Sequence, residues 1–225
     1  YKRQRIWLCY IIEKKLSNSM DKTSKLFDVW AKTGRSEEME KGHGTTVNQF
    51  LDKLSLKEKF RFLDIGCGNG WVVRKMSQKP SCVKAIGIDK SKMMIKNAKS
   101  KILSEKENYF VTDLETWKTK EKFDIIFSME SLYYSVPMEP ALEKVFKLLK
   151  KGGIFYCGTD FYSDNTLTTR WIKDMNIPMD LRSEKEWKKM FKEIGFSTRS
   201  KHVTDPKNKS KWKREFGTLF AVSYT

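Results

Sequence analysis

Apolar positions along this chain recur in two periods. Residues 47–54 place Val47, Phe50, Leu51 and Leu54 at i, i+3, i+4 and i+7, one face of a helix. From residue 60 the pattern alternates between strand-length and helix-length runs. Phe62–Ile65, Val83–Ile88, Tyr109–Val111, Phe123–Phe127 and Ile154–Cys157 are short, apolar and bounded by polar or glycine positions, as buried strands are. Ser91 is placed to cap a helix running through Ile102. Pro140 opens another, in which Leu142, Val145, Phe146 and Leu149 share a face and Gly152 is the expected stop. Ser183 and Glu186 form a capping box ahead of the stripe Trp187, Met190, Phe191 and Ile194, which Gly195 ends. Two last strands are expected near 196–204 and 216–224.

Strand, helix, strand, repeated, makes βαβ units, which force parallel pairing and right-handed crossovers. The expected product is a doubly wound, mostly parallel sheet with helices on both faces. Its ligand site should lie at the carboxyl ends of the strands, where strand order reverses. The pattern divides the chain into an N-terminal helical extension over 1–45 and an α/β domain over 46–225.

The chemistry concentrates in Asp64-Ile65-Gly66-Cys67-Gly68-Asn69-Gly70, between a strand and a helix. Glycines there let the backbone turn sharply and approach a ligand closely. Their spacing, G-x-G-x-G, differs from the dinucleotide fingerprint G-x-G-x-x-G. The acids give it meaning. Asp89 ends the second strand, where a carboxylate accepts from ribose hydroxyls. Asp113, followed by Leu114, ends the third, where it can accept from an exocyclic amine while apolar neighbours sandwich the ring. Asp64 lies below the loop, placed to orient it or to receive an ammonium. Each aspartate alone would read as a turn or cap residue; jointly they describe a site for an adenosine that carries no phosphate. Cys67 reads as a small space-filler.

FLDIGCGNG, GIDKS, VTDL, FDIIFSMESLYY and LLKKGGIFY, in that order, resemble the successive motifs of class I S-adenosylmethionine-dependent methyltransferases, from Phe62 to Tyr156. The resemblance implies a seven-stranded Rossmann-like sheet with its last strand antiparallel. It implies S-adenosyl-L-methionine as cofactor, with Gly66, Cys67, Gly68 and Gly70 at its methionine part, Asp89 and Lys90 at the ribose, Asp113 and Leu114 at the adenine, and Ser128 and Met129 beneath the sulfonium. It also makes the segment from Phe27 to Gly44 a water-excluding lid, with Trp30 and His43 as its candidate residues; Trp30 as core and His43 as a surface histidine is the competing reading.

Methyl transfer from a sulfonium is an in-line displacement in which the protein chiefly aligns and desolvates. A base is needed only where the nucleophile must lose a proton. The candidates are His43, Glu130, Tyr133, Tyr134 and Asp160. The fourth strand ends Ser128-Met129-Glu130-Ser131, without the Asn/Asp-Pro-Pro-aromatic motif of many nucleobase and glutamine N-methylases, and no Pro-Cys pair supports a cysteine-based C5 methylase. A small-molecule O- or N-methyltransferase is the first expectation. A non-catalytic S-adenosylmethionine-binding protein is a further alternative.

Charge adds a rival. Lys and Arg exceed Asp and Glu by 17, which raises a polyanion partner. Yet 36 of the 45 basic residues are lysine, spread along the chain as in a lysine-biased proteome. The excess peaks at 199–214, where cations alternate with Trp212; an RNA methyltransferase would track phosphates and stack a base there. A solvated hairpin is the favoured reading. Four scattered cysteines and two histidines argue against a disulfide framework or a metal site. No apolar run reaches membrane-spanning length, and the expected location is cytoplasmic. The basic start of residues 1–19 lacks a cleavage site and is not read as a signal peptide. Nothing in the sequence fixes an oligomeric state.

Overall fold

A computed structural model describes residues 22–52, 54 and 56–225. The reading of residues 1–19 lies outside these. Helix α1, described over 22–32, and α2 (Arg35–Leu51) precede the sheet. The chain then runs β1 (Phe60–Ile65), α3 (Trp71–Ser77), β2 (Cys82–Asp89), α4 (Lys92–Lys99), β3 (Glu107–Val111), β4 (Phe123–Met129), α5 (Glu139–Leu148), β5 (Leu149–Thr159), α6 (Trp171–Met175), α7 (Glu184–Ile194), β6 (Ser197–Val203), α8 (Lys211–Glu215) and β7 (Thr218–Tyr224).

The seven strands lie in the order β3-β2-β1-β4-β5-β7-β6. β1 pairs in parallel with both β2 and β4, so the strand order reverses at β1. β7 runs antiparallel to both β5 and β6. This is the expected Rossmann-like sheet with its last strand antiparallel.

Period-two alternation splits the core between the two faces. Leu63 and Ile65 of β1 and Ile126 of β4 join Leu142, Val145 and Phe191 on one side. Phe60, Phe62 and Phe127 join Val47, Leu51 and Val73 on the other. Burying each such side chain stabilises the fold by about 1.5–3 kcal/mol, which makes the sheet a rigid base for the loops at its carboxyl edge.

Four local expectations are corrected. α2 is one unbroken helix through Gly42, His43 and Gly44, and it ends at Leu51 rather than reaching Leu54. α4 stops at Lys99, short of Ile102, although Ser91 caps it as expected, accepting from the Met94 N–H. Gly152 does not stop a helix: α5 ends at Leu148, the chain passes directly into β5, and Gly152 lies inside that strand with φ 74°. The basic stretch between β6 and β7 is not an open hairpin loop, because it folds into α8. The Ser183 capping box forms in full, and Gly195 closes α7 in the left-handed region.

Candidate active site

The glycine loop is held by its own backbone. The N–H groups of Gly66 and Cys67 both donate to the Ile88 carbonyl, at 2.9 and 3.0 Å, and the Gly70 N–H donates to the Cys67 carbonyl at 2.9 Å. Gly66 and Gly70 have positive φ and no room for a side chain: a Cβ on Gly66 would lie 2.0 Å from Ser131 Oγ. Gly68 differs. Its φ is also positive, yet a Cβ there meets nothing within 4 Å, and the residue borders the open cavity.

Asp89 pins that loop. Its Oδ2 accepts from the Gly68 N–H at 3.0 Å and its Oδ1 from the Ser91 N–H at 2.8 Å. Burial raises its carboxyl above the usual range, against the pull of those two donors. Asp64 is buried beneath, and burial together with the Asp89 charge pushes its carboxyl well up. Asp113, at the end of β3, pairs with Lys90 Nζ at 2.7 Å. Burial opposes its ionisation, but its Glu115 and Lys90 partners outweigh burial and lower its pKa.

The two N-terminal helices are latched over this edge. Asp28 of α1 accepts from Ser91 Oγ at 2.5 Å and from the Met93 N–H at 3.1 Å, binding α1 to the start of α4. Glu40 of α2 accepts from Asn69 Nδ2 at 2.8 Å, binding α2 to the glycine loop. Thr23 and Phe27 of α1 and Met39, Glu40 and His43 of α2 thereby reach the cavity. The cavity opens to solvent, and its space out to and including the open mouth is about 1070 Å³.

A polar network backs the opposite wall. Glu130 has φ 54°, a left-handed conformation uncommon for a side-chain-bearing residue and found where surroundings hold it in place. Its Oε1 accepts from the Asp160 N–H, and its Oε2 from the Tyr133 hydroxyl at 3.0 Å. Burial and the neighbouring Asp160 charge push its carboxyl up to about 8. Asp160 is fully buried and takes Thr218 Oγ1 at 2.6 Å, Lys213 Nζ at 2.7 Å and Trp212 Nε1 at 3.2 Å. Burial opposes its ionisation too, but Lys213 and its other partners hold its carboxyl below the ordinary value. Lys213 Nζ also reaches His43 Nδ1 at 3.1 Å. An ammonium only donates, so His43 accepts at Nδ1 and carries its proton on Nε2. Burial and Lys213 lower the His43 pKa to about 4, and its ring is neutral at physiological pH.

The structure therefore brings Asp64, Gly66, Cys67, Gly68, Asp89, Lys90, Asp113, Leu114 and Met129 to one cavity, with His43, Glu130 and Tyr134. It does not bring Trp30, Gly70, Ser128, Tyr133 or Asp160 to the cavity wall. Trp30 packs edge-on to Phe27 with the Arg35 guanidinium 4.6 Å above its ring, and Phe27, a turn earlier, faces inward instead. Ser128 is buried within β4 with its Oγ unpartnered. Tyr133 and Asp160 sit one layer behind the wall, each hydrogen-bonded to Glu130. Gly70 caps α3 from beneath the loop. Trp212 and Lys213 turn inward to Asp160, so the stacking element expected of an RNA-tracking loop faces the protein. The sequence reading missed Phe27, Glu40 and Asn69. The Asn between Gly68 and Gly70 was a visible signal, but its partner lies 29 residues upstream on another element. Among the described residues no group of His, Cys, Asp and Glu is placed to hold a metal ion, and no helix is long and apolar enough to cross a membrane.

The strand order, the glycine turn after β1 and the acids at the ends of β2, β3, β4 and β5 define a Rossmann-like ligand-binding domain. A methyltransferase-domain profile matches residues 36–201, and the chain belongs to this family of S-adenosylmethionine-dependent methyltransferases. It is 29% identical over 155 residues to "Malonyl-[acyl-carrier protein] O-methyltransferase 2" of Ilyobacter polytropus, covering 66% of this chain and 55% of that protein. It is 36% identical over 104 residues to "Ubiquinone biosynthesis O-methyltransferase" of Pelagibacter ubique, covering 45% of this chain and 42% of that protein. The chain thus spans about half the length of the curated relatives it matches. A putative methyltransferase solved in complex with the Haloferax volcanii Trm112 methyltransferase activator superposes with a TM-score of 0.82 at 26% identity, covering 88% of this chain and 96% of that one.

Proposed function

We propose that this chain binds S-adenosyl-L-methionine at the carboxyl edge of the sheet and transfers its methyl group to oxygen or nitrogen of a small-molecule acceptor. The observation that carries the reading is the convergence of Gly68, Asp64, Asp89 and Asp113 on one cavity. The donor set suits the cofactor's chemistry. The open space at Gly68 would be filled by any side chain, Asp89 offers carboxylate oxygens to a ribose, and Asp113 with Leu114 offers an acceptor beside an apolar wall. Asp64 suits an ammonium. When bound, the cofactor supplies an activated methyl on a sulfonium. The protein's part is to align, to exclude water with α1 and α2, and to hold Glu130 where a nucleophile loses its proton. Three free, buried cysteines among the described residues fit a reducing, cytoplasmic setting.

A small acceptor is favoured over RNA because Trp212 and Lys213 are engaged with Asp160. The test is label transfer from methyl-labelled S-adenosylmethionine into a cell extract separated into metabolite, RNA and protein fractions. Label among metabolites supports the reading. Label in RNA would replace it, and cofactor binding without turnover would make the chain a sensor.

A second reading concerns a partner. The edge strand β3 exposes Phe110 and Val111, flanked by Ile102 and Leu103. An unpaired edge with apolar side chains is a template for strand addition. We propose that an activator subunit of the kind bound to the Haloferax relative docks there. Co-purification with such a subunit, lost on Val111→Lys, tests it.

A further inference from the structure

Carboxyl groups outnumber cations on the cavity wall. Among the described residues, the cavity wall carries five carboxyls, Glu40, Asp64, Asp89, Asp113 and Glu130, and one lysine or arginine, Lys90. Lys90 is spent on Asp113, 2.7 Å away at the far end of the sheet. Near Glu130 no cation is free among the described residues. His43 accepts from Lys213 and is neutral, and Lys213 itself is buried behind the wall against Asp160. An anionic acceptor placed beside Glu130 would meet no side-chain cation there among the described residues. Glu130 holds a proton near neutral pH while the pocket is empty, and an ammonium beside it would favour its ionised form and pair with it.

The aromatic groups agree. Phe27 of the lid and Tyr134 after β4 both line the cavity and stand edge to face, with ring centroids 5.3 Å apart. Aromatic rings beside a carboxyl suit a cation, and the Glu130 carboxyl shares the same wall. Asp160 and Tyr133 fix that carboxyl from behind, through the Asp160 N–H and the Tyr133 hydroxyl. The arrangement is an aromatic and carboxylate pocket held rigid by its second layer of partners.

We infer that the acceptor is an amine, bound as its ammonium between Glu130 and the rings of Phe27 and Tyr134, and that the enzyme is an N-methyltransferase of amines rather than a carboxylate O-methyltransferase. This rests on the cofactor reading above. The chemistry balances. The ammonium gives one proton to the Glu130 carboxylate and becomes a neutral amine. The nitrogen lone pair forms the new N–C bond, the C–S bond breaks, and its electron pair stays on sulfur as a neutral thioether. The product leaves as the methylated ammonium, and Glu130 returns its proton to water.

The test uses matched probes on the whole chain. Binding of S-adenosylhomocysteine is measured first by titration calorimetry; absence of binding overturns the cofactor reading and this inference with it. The protein loaded with S-adenosylhomocysteine is then titrated with benzylamine, benzyl alcohol and benzoate, and the same three are offered methyl-labelled S-adenosylmethionine. The expected result is benzylamine binding at least about tenfold tighter than benzoate, with label on nitrogen. Glu130→Gln should weaken benzylamine by about tenfold or more while S-adenosylhomocysteine binding, which certifies the fold of the variant, stays within about twofold. Equal or tighter binding of benzoate, label on benzyl alcohol or benzoate alone, failure of the loaded protein to take benzylamine, or an indifferent Glu130→Gln overturns the inference and leaves the cofactor reading standing.

Discussion

Lys213 Nζ lies 2.7 Å from Asp160 Oδ2, with 3% and 1% of the two side chains exposed. The pair joins α8 to the end of β5 directly behind the candidate acceptor pocket. Removing one partner of a buried pair strands the other charge, which costs about 3–5 kcal/mol. Lys213→Met should therefore lose stability of that order in urea denaturation. Asp160→Asn combined with Lys213→Met should recover part of it. A Lys213→Met protein as stable as the wild type would show that the pair is not the buried anchor described here.

Two glycines separate folding from binding. Gly68→Ala places a methyl into open space at φ 52°, with a backbone cost of about 1–2 kcal/mol. It should fold and bind S-adenosylhomocysteine at least about tenfold more weakly, since the methyl fills the ligand path. Gly66→Ala drives a Cβ to 2.0 Å from Ser131 Oγ and should lose thermal stability as well. Comparable melting temperatures for the two variants would contradict this division.

Asp89 acts on the loop and on the ligand at once. Asp89→Ala removes the acceptor for the Gly68 and Ser91 N–H groups. Hydrogen bonds to a charged group contribute about 1.5–3 kcal/mol each, so S-adenosylhomocysteine affinity should fall at least tenfold, about 1.4 kcal/mol. Circular dichroism should still report a folded chain. Unchanged affinity would remove Asp89 from the site.

Glu130 predicts a pH dependence with a definite sign. Burial and Asp160 raise its folded pKa from 4.5 to about 8, with Lys213 and Tyr133 opposing. Between those values the folded protein holds a proton that the unfolded chain has released. Its contribution to stability is full below about pH 4.5, falls as pH rises through that window, and levels off above about 8. Glu130→Gln cannot titrate, so the variant should gain stability relative to wild type as pH rises from 5 to 8. Parallel stability curves for the two proteins would refute the assignment.

Legibility from sequence followed range. The glycine turn and the strand-end aspartates were readable because each is written in a few adjacent residues, and the antiparallel last strand came with the family resemblance those motifs carry. The lid residues were not. Phe27 and Trp30 sit one turn apart on α1, and only the packing of α1 against α4, through Asp28 and Ser91, decides which ring faces the cavity. His43 sits between glycines 42 and 44, yet α2 spans them while buried Thr46, Val47 and Leu51 anchor its far end. The basic stretch at 207–214 looked solvated because charge is readable in sequence and a partner 53 residues earlier is not; Asp160 draws Lys213 and Trp212 inward.

The central claim is that the cavity beneath α1 and α2 is the cofactor site. Calorimetric titration of the wild-type chain with S-adenosylhomocysteine, alongside Gly68→Ala and Asp89→Ala, tests it most directly. The account predicts saturable one-to-one binding to the wild type and weakening by both variants. No binding to the wild type, or equal affinity in all three, would contradict it.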